Sequence, residues 1–335
     1  MTGESESVPR EKSKDLLVSV IIPVYQVSAY VERCLLSVMS QTYQNIECII
    51  VDDCSKDDSV AKCERLISAY EGSIKFKILH HERNRGLSAA RNTGTDAATG
   101  DYIYYLDSDD EISLDCTERL VSYIIEDDTI EMVQGSFLKT IDNKEFLWRS
   151  DTKLILGNDE VRYQFLNKRV INYGVWNKLL KRSLVIGHHI YNKEGIINED
   201  LLWTFYLIKH LNIAQLCNDV TYYYHIRQNS ISSGSALKTK GQSYVRIFDE
   251  ILHNLTMGKE KEELNGYRYT FSRVLADYYR AVPELKMVIQ LYKNLAKQYS
   301  CWLTYLTITS IAIISHFGNP MCVLKKLYGI KHIIN

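Results

Sequence analysis

Residues 16–53 read LLVSVIIPVYQVSAYVERCLLSVMSQTYQNIECIIVDD, and the hydrophobic period changes twice along them. LLVSVIIPVY (16–25) is a short apolar run rich in β-branched residues, the pattern of a strand buried on both faces of a parallel sheet. Val31, Cys34, Leu35, Val38 and Met39 then recur at helical spacing, with Ser28 placed as the N-cap. IECIIV (46–51) is a second strand that runs into Asp52-Asp53. Ser55 to Asp58 read as a capping box for a helix whose apolar face is Val60, Cys63, Ile67 and Tyr70. A third strand follows at 74–79, an Ala-rich helix near 87–98, and a fourth strand at 102–106 that stops at Asp107-Ser108-Asp109-Asp110. Strands therefore end about every 27 residues, with a helix between each pair. That cadence predicts an α/β fold with a mostly parallel, Rossmann-like sheet and right-handed crossovers.

Beyond residue 115 the rhythm loosens. Residues 116–235 mix helices with short strands, including the aromatic run TYYYHIR at 221–227, and 236–335 read as a helical C-terminal region. Residues 1–15 are polar and mixed in charge, with no apolar h-region, and read as a disordered tail. The whole chain has 335 residues, 46% of them hydrophobic, and 40 Lys+Arg against 41 Asp+Glu. A formal charge of −1 gives no bulk attraction to nucleic acid, so none is expected as partner. Eight cysteines form no CxxC pair, which suits reduced thiols and a cytoplasmic location. Residues 298–324 carry no Asp, Glu, Lys or Arg, and KKLYGIKH (325–332) is basic. The 17-residue run CWLTYLTITSIAIISHF is short for a bilayer span; it predicts a buried helix or a peripheral contact with the inner face of the membrane through residues 298–335.

In an open α/β sheet, ligands bind beyond the carboxyl ends of the strands. Here those ends carry Pro23-Val24-Tyr25, Asp52-Asp53 and the acidic run from Asp107 to Asp110. Neither GxxxxGK[ST] nor a GxGxxG after the first strand is present, so another device must hold phosphate. A divalent cation bridging carboxylate to diphosphate is the economical one, and Asp107-x-Asp109 suits it, because close like charges favour a cation between them. A solvated acidic turn is the bland reading of the same residues. An EF-hand reading of Asp107, Asp109, Glu111 and Glu118 fails, since Ile112 stands where glycine is required.

VSVIIPVYQVSAYVERCLLSVMSQTYQNIECIIVDDCSKDDS (18–59) and NRGLSAARNTGTDAATGDYIYYLDSDD (84–110) together resemble the nucleotide-sugar-binding half of family-2 glycosyltransferases, inverting enzymes of GT-A fold. VWNKLLKRSL (175–184), EGIINEDLLW (194–203) and YYYHIRQNSIS (222–232) resemble the acceptor half of bacterial members that build surface polysaccharides. The resemblance divides the chain into a donor half at 16–115, an acceptor half at 116–235 and the helical region. It implies that Pro23, Val24 and Tyr25 line the nucleotide pocket, with Tyr25 on the base. Asp53 would accept from a uracil ring with Asp52 beside it, and Asn84, Gly86 and Arg91 would close over the nucleotide. Asp107, Ser108 and Asp109 form the DxD element, with Asp107 and Asp109 toward Mg2+ or Mn2+, one of them also toward the ribose and Asp109 most directly on the metal; His225 either completes the metal or is a structural histidine. Asp200 would be the catalytic base with Glu199 orienting it or holding acceptor. Trp176, Asn177 and Lys178 are candidates for the sugar and acceptor platform, with a core Trp and a solvated Lys as the bland alternative, and Arg227 is a candidate for pairing with diphosphate. The implied donor is a UDP-sugar and the acceptor a glycan or lipid-linked hydroxyl.

One departure stands out: the family usually has glycine where this chain has Cys54, and the expected result is a shifted turn. A sugar-phosphate nucleotidyltransferase would need a glycine-rich, basic loop after the first strand, which PVYQVSAYVERCL lacks. A non-catalytic nucleotide-sugar sensor would tolerate loss of Asp107, Asp109 or Asp200, and all three are present.

Overall fold

The computed structural model describes residues 15–141, 144–226 and 237–317. The βα rhythm is realised as β1 (Val18–Val24), α1 (Val31–Met39), β2 (Ile46–Asp52), α2 (Ser59–Ser68), β3 (Lys75–His80), α3 (Leu87–Ala97) and β4 (Tyr102–Tyr105). β1 lies parallel between β2 and β4, and β3 adds parallel to β2. Every residue of β1 is buried, as its unbroken apolar run requires. Gly94 lets α3 lie close on this strand, because a Cβ there would stand 2.3 Å from Ile21 Cγ2.

The second half supplies β5 (Glu111–Ile112), α4 (Cys116–Glu126), β6 (Met132–Ile141), β7 (Lys144–Trp148), β8 (Lys153–Leu156), α5 (Asn158–Tyr163), β9 (Lys178–Lys181), α6 (Arg182–Gly187), α7 (Asp200–His210) and β10 (Ile213–His225). β9 runs antiparallel to both β4 and β6 and so joins the two halves. The resulting order is β3-β2-β1-β4-β9-β6-β10-β5, with β7 on β6 and β8 on β10. Apolar residues of α1, α2 and α4 cover one face; α3, α6 and α7 cover the other.

Two local expectations are corrected. Tyr30, not Ser28, is the N-cap of α1; the Ser28 amide donates to Asp57 Oδ2 and its hydroxyl bonds Asp58, tying α1 to α2. Ser55 does not open a capping box, for its amide donates to Asp52 Oδ1 at 2.8 Å, while the amide of Ser59 at the start of α2 donates to Asp57 Oδ1 at 3.1 Å.

The helical C-terminal region is α8 (Leu237–His253), α9 (Glu260–Tyr278), α10 (Leu285–Gln298) and α11 (Trp302–Phe317). Ile247, Phe248, Phe271 and Tyr292 join the same apolar cluster as Trp203 and Phe205 of α7. The two parts are also joined by a fully buried ion pair, Arg162 Nη2 to Glu263 at 2.9 Å, with Thr256 donating to the same carboxylate. Removing one partner strands a charge in the core, at a cost of about 3–5 kcal/mol. Glu263→Gln is therefore expected to lower the urea midpoint of the whole chain in one transition. A separate early transition from the helical region alone would contradict a shared core.

Candidate active site

β1 sits where the strand order reverses, with β2 on one side and β4 on the other, and the parallel register brings Val24 opposite Asp52. The crevice beyond these ends is the usual ligand position of such sheets. Pro23 and Val24 are buried in the strand, whereas Tyr25 just past it is 41% exposed and offers an open ring.

Asp52 and Asp53 are both buried; Asp52 is held by the Ser55 amide at 2.8 Å and by His80 Nδ1 at 3.2 Å, and Asp53 by the loop after β3. Asp53 Oδ1 accepts from the Arg85 amide at 2.8 Å and hydrogen-bonds His81 Nδ1 at 2.7 Å; Asp53 Oδ2 accepts from the Gly86 amide at 2.7 Å. His81 reaches on to Thr93 of α3 at 2.9 Å. The structure thus gives Asp53 a holding task that the resemblance did not suggest. Asn84 is exposed in the loop so held, and Gly86 ends it at φ +91°, a backbone that favours glycine. Cys54 keeps a left-handed φ of +63°. The cysteine occupies a conformation in which glycine is cheaper, at a strain of order 1–3 kcal/mol.

Arg91 is the centre of the site. It lies on α3 and is 1% exposed, with Nη2 on Asp107 Oδ1 at 2.7 Å and Nη1 on Glu199 Oε1 at 2.7 Å and Asp200 Oδ1 at 3.2 Å. It does not close over a ligand from outside, as the sequence suggested; it joins the acidic end of β4 to the start of α7 from beneath. Asn198 at φ +63° turns the chain, Glu199 is the N-cap and Asp200 the first helical residue. Acids are favoured at that end by the helix dipole. Asp200 is still 22% exposed along its side chain, and its carboxyl is pushed up to about 7, by burial first and then by the Glu199 charge, against the pull of Arg91.

The acidic turn after β4 is fastened to β10. Tyr222 Oη accepts from the Asp107 amide at 3.3 Å and donates to Asp110 Oδ2 at 2.8 Å, while the His225 amide donates to Asp110 Oδ1 at 2.8 Å. Ser108 is buried within the turn. Asp110, which the sequence reading passed over, is the most enclosed acid here, and burial followed by the Asp109 and Asp107 charges drives its carboxyl far up. Tyr222, which holds it, stood within a run of tyrosines that gave no sign of which one mattered.

Three expectations change. His225 Nε2 sits 2.8 Å from Glu111 Oε1, because β5 pairs with β10 and places Glu111 beside it, so its partner in the structure is a carboxylate. Among the described residues no group of three or more His, Cys, Asp or Glu side chains is arranged to hold a metal ion. Lys178 does not reach phosphate, since it is fully buried and donates to Asn172 Oδ1 at 2.6 Å and to the Gly174 carbonyl; burial lowers its amine to about 7. Trp176 is stacked on Tyr222 and Tyr224 at 4.7 and 5.3 Å, and buried Asn177 bonds Gly135, Ser136, Tyr104 and Thr221, so neither is an open platform. The exposed aromatic of that segment is Tyr173, 62% exposed, whose carbonyl accepts from Thr204 one turn into α7. Arg227 lies outside the described residues.

What remains for a metal is a pair of hard oxygen donors, Asp107 and Asp109, on a turn that also carries Asp110. Two carboxylates on one turn supply the hard oxygen donors that Mg2+ or Mn2+ takes.

The glycosyl transferase family 2 model matches residues 19–187, and the chain belongs to that family. It is a glycosyltransferase with a GT-A fold. It is 28% identical to the Escherichia coli K12 uncharacterized glycosyltransferase YibD over 70% of this chain and 68% of that one. It is 27% identical to glycosyltransferase GlyG of Streptococcus pneumoniae, over 78% and 87%. WfgD of Escherichia coli, a UDP-Glc:alpha-D-GlcNAc-diphosphoundecaprenol beta-1,3-glucosyltransferase, is 28% identical over 68% and 84%. Among solved structures, S. aureus TarS 1–349 in complex with UDP-GlcNAc superposes with a TM-score of 0.70 at 20% identity, over 96% and 94% of the two chains. Mannosyltransferase PcManGT from Pyrobaculum calidifontis, in complex with GDP-Man and Mn2+, gives 0.58 at 18% identity, over 91% and 88%.

Arg91→Ala leaves three partly or fully buried carboxylates without their cation, and a loss of about 3–5 kcal/mol is expected at pH 8. The loss should shrink as pH falls and the carboxylates take up protons. Urea unfolding of both proteins across pH 5 to 8 checks the magnitude and the direction.

Proposed function

We propose that this glycosyltransferase is inverting and metal-dependent, and moves a sugar from a UDP-sugar to a hydroxyl of a glycan or lipid-linked acceptor of surface-polysaccharide type. The observation that carries the reading is the Arg91 bridge, which sets a raised-pKa carboxylate, Asp200, beside the acidic turn at the switch point of the sheet. The names of WfgD and TarS support a UDP-linked donor, and that of WfgD a diphosphate-lipid acceptor.

In this reading Tyr25 stacks on the base, and the loop fixed by Asp53 forms the wall beside it. Asp200 takes the proton of the acceptor hydroxyl while its oxygen attacks the anomeric carbon from the face opposite the leaving diphosphate, which inverts the configuration. A base with a pKa near the working pH is well matched to that step. Glu199, buried on the same guanidinium nitrogen, positions Asp200 through Arg91 and touches no substrate. Tyr173 borders the acceptor side in place of Trp176. Asp107 and Asp109 would hold a divalent ion, which would supply Lewis-acid neutralisation of the departing charge.

Asp200→Asn is expected to lower UDP release from the best of a panel of UDP-sugars by roughly 10²–10⁴-fold with UDP affinity retained. A variant that keeps its rate removes Asp200 from the mechanism. The wild-type rate should rise with pH through about 7, as the base ionises. Stability runs the other way. The protonated carboxyl contributes fully below the ordinary carboxylate pKa, and that contribution fades as pH rises through about 7. Asp200→Asn should accordingly raise Tm relative to wild type at pH 8 and leave it nearly unchanged at pH 4.

A further inference from the structure

α11 is built inside out. Its inward face carries Thr304, Ile308, Ile311 and Ser315, all buried, with Thr304 bonding Asn265 and the Ser315 carbonyl accepting from Arg280. Its outward face carries Trp302, Leu303, Leu306 and Ile313, at 58, 65, 58 and 55% exposure. At 3.6 residues per turn these four fall on one side of the helix, spread over roughly 100°. A water-exposed helix normally reverses this order.

The surroundings are basic. Lys293 and Lys297 of α10 reach over the ring of Tyr305, with Nζ 5.3 and 4.9 Å from its centroid, and Tyr305 meets Trp302 edge-on at 6.2 Å. From Leu285 to Asn335 the sequence holds six lysines and no Asp or Glu. No helix among the described residues is long and apolar enough to cross a membrane. An aromatic-flanked apolar stripe rimmed by lysines has the chemistry of a helix lying in the plane of an anionic lipid surface, with apolar side chains in the acyl boundary and amines at the headgroups.

We infer that the outward face of α11, from Trp302 to Ile313, is a docking surface for a bilayer containing anionic phospholipid, with Lys293 and Lys297 as its charged rim. The surface acts apart from the proposed chemistry, so its test needs no turnover. Full-length protein is floated with vesicles of phosphatidylglycerol and phosphatidylcholine, and with vesicles of phosphatidylcholine alone. Co-flotation is expected with the anionic vesicles, weakened by high salt. Lys293→Glu with Lys297→Glu should lower partitioning by at least 10-fold, from about 5-fold per lysine lost at the surface. Trp302→Ser with Leu306→Ser and Ile313→Ser should abolish it. Thermal unfolding and UDP binding serve as controls and should not move. Wild-type protein that stays unbound with anionic vesicles overturns the proposal. So does a dimer, seen by light scattering, that the serine variant breaks while vesicle binding is absent.

Discussion

One buried guanidinium fixes the relation between the two halves of this enzyme. Arg91 comes from α3, Asp107 from the end of β4, and Glu199 and Asp200 from the start of α7, so a single side chain spans 109 residues of sequence. A planar fork with several donors can hold three carboxylates at once, which the ammonium of lysine cannot do with the same geometry. Without it, the acids at the strand ends and at the helix start would repel, and the crevice would open. The arrangement is costly, because three charges are drawn out of water. It persists because each is paired with the guanidinium.

The parallel half was legible because its signal is local. A strand every 27 residues with a helical stripe between needs no knowledge of distant partners, and the boundaries of β1 to β4 fall within about two residues of their expected places. The second half was not legible, because β9 is four residues long and takes its place from antiparallel pairing with β4 and β6, far away in sequence. The site followed the same division. Asp107, Asp200 and Arg91 could each be named from short motifs, but that Arg91 pairs with both acids could not. The misreadings share a cause: Lys178 and Asn177 are polar residues in a motif, and a sequence does not tell a buried, satisfied amine or amide from one that faces a ligand. The Lys178 bonds to Asn172 and Gly174 shape the loop that carries Tyr173, and those of Asn177 tie it to β4, β6 and β10. Cys54 is the converse case, a non-glycine residue that holds a left-handed backbone angle no local pattern reveals.

The helical region extends this economy. Its helices complete the core beneath α7, so the element that presents Asp200 is supported from both the sheet and the C-terminal helices. Substitutions far from the crevice, at the Arg162–Glu263 pair for instance, would then alter catalysis through the seat of α7 and not through any contact with substrate.

The loop from His81 to Gly86 is already clamped on Asp53 by two amides and an imidazole. A wall fixed in this way loses its conformational freedom when the chain folds, so little ordering remains to oppose ligand capture. Such a wall also cannot remodel itself around an ill-fitting base. Discrimination between a pyrimidine and a larger purine would then be a matter of rigid shape, set once during folding, and changing it would require re-cutting the loop's anchor and not merely its exposed side chains.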